Sequence, residues 1–250
     1  MLTVEEFKRK YGHEEVGFWY PRVTGICEII AKPGLEKWLA DSGSYGEMLQ
    51  KRRKILDWGS AIDLAVKKIF KGESPEINPV INPSIEAFSH WVKKHKVELF
   101  AADKKVLSKK HFYAGTTDII AEIDDDFGIL DIKTSSNFWD EHFIQTAAYC
   151  QAFNETELPK VKTHWILKVD QYQECRGCGA KKREKAGRDE IKWGEPECKH
   201  IWSVVKGVCE LKEAPEPETY IKMFLHAKKL WELANRRFLS QIENYPNKLS

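Results

Sequence analysis

The stretch from Val106 to Phe153 constrains the fold more than any other part of this chain. Val106–Tyr113 and Thr116–Ile123 read as strands, and Ile129–Lys133 as a third, short and mostly apolar. Ala114-Gly115 separates the first two, and the polar turn from Asp124 to Gly128 separates the second from the third, so the three form a meander. Phe143–Phe153 then switches to a helical pattern that puts Gln145 and Tyr149 one turn apart. Further strands are expected at His164–Val169 and Trp202–Leu211. Helices flank this pattern. Lys51–Phe70 repeats Ile55, Ile62, Val66 and Ile69 and stops at Gly72; a second helix follows Asn82-Pro83; Glu218–Leu239 lines up Tyr220, Phe224, Ala227, Trp231, Ala234 and Phe238. The expectation is an α/β chain with a mixed central β-sheet flanked by helices. Residues 170–201 break the order: polar, aperiodic and holding three of the six cysteines, they read as an insertion between two strands.

The chemistry of the meander centres on Asp131-x-Lys133. The spacing alone means little, because it recurs at Glu6–Lys8, Asp103–Lys105, Glu190–Lys192 and Glu210–Lys212. On a strand, however, alternation puts Asp131 and Lys133 on one face. Asp118 starts the adjoining strand, where a hairpin brings it alongside. Two carboxylates that close repel, and a divalent cation resolves the repulsion. The Ile132 carbonyl offers a third oxygen. Carboxylates and carbonyls suit Mg²⁺ or Mn²⁺ rather than zinc. The chemistry that fits is metal-assisted hydrolysis of a phosphodiester. Lys133 would hold or deprotonate the attacking water, or neutralise charge in the transition state, while Gln145 and Tyr149 orient water or phosphate. The bland alternative is a solvated salt bridge on a hairpin.

A second constellation lies in the insertion. Cys175-x-x-Cys178 is followed by Cys198-x-His200, and Gly177 and Gly179 supply the turn freedom of a knuckle. Three thiolates and an imidazole make a closed tetrahedral site, which favours structural zinc. An iron–sulfur cluster, with Cys27 as fourth thiolate, is the rival. On the zinc reading, Cys27, Cys150 and Cys209 are buried thiols.

The blocks Gly115–Asp118, Asp131–Lys133 and Gln145–Tyr149 resemble, in order and spacing, the PD-(D/E)XK nuclease superfamily. The likeness is to its RecB-like branch, which includes mitochondrial genome maintenance exonucleases and many phage nucleases. Val23-Thr24 and the run Lys32-Pro33-Gly34-Leu35-Glu36-Lys37-Trp38 are similar to the N-terminal part of that branch. The likeness spans residues 20–170 and the last helix. It implies a restriction-endonuclease-like core and a Mg²⁺- or Mn²⁺-dependent exonuclease acting on single-stranded DNA or DNA ends. DNA would be the partner, alongside proteins of replication, recombination or repair. Two positions depart from the pattern. Asp63 stands where the family places a His on a helix, and Asp103 where it often has a Glu, with Glu98 the nearest Glu. Both substitutions bear on how many metal ions the site takes.

Charge gives no global signal for nucleic acid, since 40 Lys+Arg nearly cancel 38 Asp+Glu. Basic partner-binding faces must be local. Lys104, Lys105, Lys109 and Lys110 flank the meander, and Arg52 and Arg53 precede Asp63 on its helix. Lys181, Lys182, Arg183, Lys185 and Arg188 sit in the insertion, either tracking phosphates or simply solvated. Trp139 and Phe143 follow Lys133 and either stack on bases of a single strand or join the core.

At 250 residues the expectation is one domain: an N-terminal helical part (1–95), the catalytic sheet with the Gln/Tyr helix (96–170), a zinc-binding insertion (171–201) and the last strand and helix (202–250). No apolar run is long enough to span a membrane, and the charged start lacks a signal-peptide core, so the compartment expected is the cytoplasm. The competing functional readings are a zinc-organised nucleic-acid-binding module and a nuclease subunit active only within a larger recombination complex. The absence of a phosphate-binding Gly-x-x-x-x-Gly-Lys-Thr loop means any motor would belong to a partner.

Overall fold

The computed structural model describes residues 2–31, 45–185 and 188–246. Lys32–Trp38, part of the N-terminal likeness, lie outside the described residues. The chain begins with helix α1 (Val4–Tyr11), closed at its start by a reciprocal cap between Thr3 and Glu6. A hairpin of β1 (Gly12–Glu15) and β2 (Phe18–Pro21) and a short helix α2 (Val23–Cys27) follow. Next come the long helix α3 (Tyr45–Phe70), a 3₁₀ turn (Pro79–Ile81) and α4 (Asn82–Lys94), which carries Pro83 in its first turn. The part expected to be helical thus also contains a strand pair.

The sheet is built from β3 (Val97–Ala102), β6 (Ile119–Ile123), β7 (Asp126–Lys133), β8 (Thr163–Glu174), β9 (Lys181–Lys185), β10 (Arg188–Lys192) and β11 (Lys206–Glu213). Its order runs β10-β9-β8-β7-β6-β3, with β11 also paired to β8. Only β7 and β8 are parallel, and helix α5 (Asp140–Thr156) makes the crossover between them. The α/β class with a mixed sheet is as expected. β8 is long enough to change neighbours: its first half pairs with β7, and Gln173 and Glu174 pair with β9 beyond the end of β7. The chain closes with α6 (Pro217–Ala234) and α7 (Arg236–Leu239).

Alternation along the strands feeds two cores. Ile120, Ile129 and Ile166 face α5 and α6, packing with Phe143, Ala147, Phe153 and Phe224. Ile119, Leu130, Ile132 and Leu167 face α3 and α4, packing with Ile62, Val66, Ile85 and Phe88. Asp131 and Lys133 share parity with Ile129 and so lie on the α5 side. Both ends of the chain join the first core: Trp19 N–H donates to the Asn244 carbonyl at 3.0 Å, and the rings of Trp19 and Tyr245 meet edge-on at 5.6 Å.

Further elements differ from the sequence expectation, and the last helix, expected over Glu218–Leu239, is broken at Asn235. Val106–Tyr113 is two strands, β4 (Lys105–Ser108) and β5 (Tyr113–Thr116), which pair with each other outside the main sheet. The turn between them has no Gly, Pro or Asn to announce it. A tertiary contact holds it instead: Ser108 Oγ donates to Glu155 on α5 at 2.7 Å and accepts from His111 N–H at 3.0 Å. β3, not foreseen as a strand, takes the place beside β6 with a bulge between Leu99 and Ala101. The insertion holds the β9–β10 hairpin rather than only loop. No helix among the described residues is long and apolar enough to cross a membrane.

Candidate active site

β6 stops at Ile119, whereas β7 continues to Lys133. The edge of β7 that β6 leaves unpaired beyond that point is where polar groups gather. Asp118, just before β6, accepts the Ile132 N–H on Oδ2 at 2.9 Å. N–H and C=O of one strand residue point to the same side, so the Ile132 carbonyl faces Asp118 as well. Asp131 is only 2% exposed. Its Oδ1 accepts from Gln145 Nε2 at 3.2 Å, and its Oδ2 lies 2.5 Å from Lys133 Nζ. Gln145 Nε2 also reaches the Tyr149 hydroxyl at 2.9 Å. The five residues singled out from the sequence therefore form one connected cluster.

Gly115 is required by close approach. A Cβ at this position would sit 2.4 Å from Tyr149 Cε1, so only glycine lets the Tyr149 ring lie against β5. The Tyr149 hydroxyl is anchored in turn by Gln145.

Lys67, on α3, was not among the residues the sequence pointed to. Its ammonium lies 2.9 Å from Asp63, 2.8 Å from Asp103 and 3.0 Å from Asp118. Asp63 and Asp103, expected as supporting oxygens, are thus brought beside Asp118, but around an ammonium. Lys67 is 9% exposed. Lys71 touches Asp103 at 3.7 Å from a more open position. Only the i,i+4 relation of Asp63 and Lys67 was legible in sequence. Asp103 and Asp118 arrive through the β3–β6 pairing, where Asp103 N–H donates to the Asp118 carbonyl at 3.0 Å.

The electrostatics are those of crowded carboxylates. Burial pushes Asp131 up to about 7; Lys133 opposes that rise, and Asp118 and Asp63 add to it. Burial likewise raises Asp63, and the charge of Asp118 raises it further. Burial opposes the charge of Lys67 and of Lys133, but the surrounding carboxylates outweigh it and hold both above the ordinary lysine value. Both lysines are therefore ammoniums in this arrangement. Burial keeps the Tyr149 hydroxyl protonated, well above its usual value. Asp131 Oδ2 is buried against the Lys133 ammonium. A buried carboxylate beside a second carboxylate and a main-chain carbonyl is an oxygen donor set that fits a hard divalent cation.

The cysteine cluster closes as the spacing suggested. The ligand atoms of Cys175, Cys178, Cys198 and His200 all lie within 4.8 Å of one another. Cys175 and Cys198 sulfurs are 3.9 Å apart, and Cys178 Sγ is 3.5 Å from His200 Nδ1. A tetrahedron with zinc bond lengths has edges of about 3.8 Å between sulfurs and about 3.6 Å between sulfur and nitrogen. The four residues could hold a metal such as zinc. Cys178 N–H and then Gly177 N–H bring Cys175 down to about 6, whereas the neighbouring Cys178 pushes Cys198 up to about 12. Such opposed behaviour among crowded sulfurs is what a bound cation relieves. Cys27 lies in the core on the α5 face, and His200 holds the fourth position, so the four-thiolate set of an iron–sulfur cluster is not assembled.

The insertion also touches the end of β7. Arg183 on β9 donates through Nε to Asp170 at 2.6 Å and through Nη2 to the Thr134 carbonyl at 3.2 Å. Lys192 on β10 donates to Ser136 Oγ at 3.3 Å. The segment that follows Lys133 is therefore pinned from the hairpin.

The basic and aromatic candidates divide. Phe143 is a core residue, 1% exposed and stacked on Tyr220, because it sits on the inward face of α5; it is not placed to stack on a base. Trp139, at the start of α5, is 44% exposed. Lys104 pairs with Glu157 and Lys105 with Glu15. Lys109 and Lys110 are exposed, but their turn packs on Glu155, ten residues and about 15 Å along α5 from Gln145. Arg52 and Arg53 are exposed on α3, also about 15 Å along that helix from Asp63. The side chains of Lys185 and Arg188 lie outside the described residues.

A scan against known protein families returned no match, and a search of curated proteins returned none.

Proposed function

We propose that this protein is a divalent-metal-dependent nuclease that hydrolyses phosphodiester bonds in DNA, acting as an exonuclease on single strands or ends. The observation that carries the reading is the convergence of Asp118, Asp131, Lys133 and Gln145 at the end of β7, beyond its pairing with β6, with the Asp131 carboxylate buried. The exonuclease class and the preference for ends come from the likeness to RecB-like nucleases.

Asp118, Asp131 and the Ile132 carbonyl would hold Mg²⁺ or Mn²⁺. When bound, the cation supplies Lewis acidity and lowers the pKa of water. Lys133, charged and next to Asp131, donates a hydrogen bond to water or phosphate and offsets negative charge as it builds. Gln145 fixes the Asp131 carboxylate and the Tyr149 hydroxyl in one geometry, which keeps the oxygen donors aimed at one point. Trp139 offers an exposed ring for a base at the start of α5. The Cys₃His knuckle is read as a structural zinc site, because four protein ligands leave no open position.

The test is incubation of labelled single- and double-stranded DNA with Mg²⁺, Mn²⁺ or chelator, with Asp131→Asn and Lys133→Ala alongside. Cleavage is expected with metal in the unaltered protein and lost by at least about 100-fold in both variants. Equal product from wild type and Asp131→Asn would sink the reading.

A further inference from the structure

We infer that Lys67 is the fixed cation of this site, holding Asp63, Asp103 and Asp118 together where a second metal ion would otherwise be needed, so that the site takes one divalent cation. The inference rests on the reading of the cluster as a divalent-metal site and deepens it.

Three observations carry it. First, the geometry is convergent. One ammonium lies within 3.0 Å of carboxylates from α3, from the loop after β3 and from the start of β6. An ammonium has three donor hydrogens, and here each has a carboxylate to meet. Second, the position is enclosed. The Lys67 side chain is 11% exposed, so water screens the interaction weakly. Third, the charges favour one ion over two. Asp63, Asp103, Asp118 and Asp131 carry four formal negative charges, and Lys67, Lys133 and Lys71, which reaches Asp103, return three. One divalent cation brings the cluster to plus one, whereas two would leave it at plus three.

The arrangement also divides the work between the carboxylates. Asp118 stands between the two sets: Oδ1 faces Lys67 and Oδ2 faces the Ile132 N–H. Each carboxylate oxygen has two lone pairs, so Asp118 keeps acceptor capacity for a metal shared with Asp131. Asp63 Oδ2 and Asp103 Oδ1 face Lys67, which occupies the point on which these carboxylates and Asp118 converge. Lys67 is thus a positioning residue: it fixes Asp118 through charge and does not need to touch the reacting atoms.

The experiment counts ions rather than turnover. Full-length protein with zinc in the Cys/His site is titrated with Mn²⁺, and sites with dissociation constants below about 1 mM are counted by calorimetry and by loss of the free-ion paramagnetic signal. Mn²⁺ stands well below Zn²⁺ in affinity for thiolate sites, so the knuckle does not confuse the count. One ion per chain is expected for the wild type and for Lys67→Arg, and two for Lys67→Met. Lys67→Gln, which keeps donors without charge, is expected to follow Lys67→Met and serves if the Met variant does not fold. Two ions in the wild type, or one in the neutral variants, overturns the inference while leaving the metal-site reading in place. No bound Mn²⁺ in the wild type removes the metal-site reading, and the inference with it. Cleavage is scored separately, so a one-ion protein without nuclease activity would count against the proposed reaction and not against the role of Lys67.

Discussion

The ring of Tyr149 and the backbone of Gly115 are in such close apposition that no other residue fits at 115. The contact links β5 to the middle of α5, and through the Tyr149 hydroxyl it sets Gln145 and then Asp131. Gly115→Ala is therefore expected to push Tyr149 out of register. Overpacking of this kind costs about 1–3 kcal/mol, and cleavage should fall at least about tenfold because Gln145 loses its anchor. Thermal unfolding and a single-turnover assay check the two parts. Retained stability together with retained activity would contradict the role assigned to this contact.

Arg183 reaches from the insertion to the buried Asp170, 5% exposed, and to the Thr134 carbonyl. Breaking one side of a buried pair is costly, so Arg183→Met should lose about 3 kcal/mol in urea unfolding. Combined with Asp170→Asn, the loss should be smaller than the sum of the two single losses, because the interaction between them is then counted once. Hydrogen exchange at Thr134–Ser136 should quicken in the single variant. An additive double variant would show that the two residues act independently.

Metal removal should be felt locally before it is felt globally. The Cys/His ligands lie on the loops on either side of the β9–β10 hairpin, so a chelator should expose residues 175–180 and 194–202 to protease at least about tenfold faster while the sheet stays protected. Elemental analysis of protein purified without chelator should give one zinc per chain, and Cys198→Ser should lower that content. A protein that resists chelator with its insertion unchanged would argue that the cluster folds without metal.

His164 gives a pH dependence. It is 2% exposed, with Nδ1 2.6 Å from Thr146 Oγ1, and burial depresses it to about 4 from 6.5. The folded state therefore resists a proton that the unfolded state accepts. Its contribution is fully present above about 6.5 and is lost as the pH falls toward 4, a change of about 3 kcal/mol. Asp131 acts in the opposite sense in metal-free protein: it is raised to about 7, so its contribution is present below 3.8 and is lost as the pH rises through 7. The difference between wild type and His164→Gln across pH 4–7 isolates the histidine. A parallel pair of stability curves would show that His164 is not the group responsible.

Local pattern carried part of this molecule. The β7 strand, the Gln/Tyr helix and the Cys/His knuckle are each written within a few dozen residues, so periodicity and ligand spacing reveal them. Lys67 could not be found this way, because two of its three carboxylates come from chain segments brought in by β3–β6 pairing. The β4–β5 turn was hidden for a similar reason, since Glu155 on α5 supplies the stabilisation that turn residues supply elsewhere. Phe143 was ambiguous because an aromatic next to a polar cluster reads equally as core or as a stacking platform until the helix face is known.

The insertion leaves and rejoins the sheet at one place. Cys175 bridges to Trp202, Arg176 N–H donates to the Ile201 carbonyl, and Ser203 N–H donates to the Glu174 carbonyl. A lineage could acquire or shed this module in a single event without rethreading any strand. The event would not be neutral, however, since Asp170 stays behind in the sheet. A shortened descendant that kept Asp170 would carry a buried acid that has lost its contact with Arg183, and pressure on the acid would follow. The module and that one carboxylate should therefore be inherited as a pair.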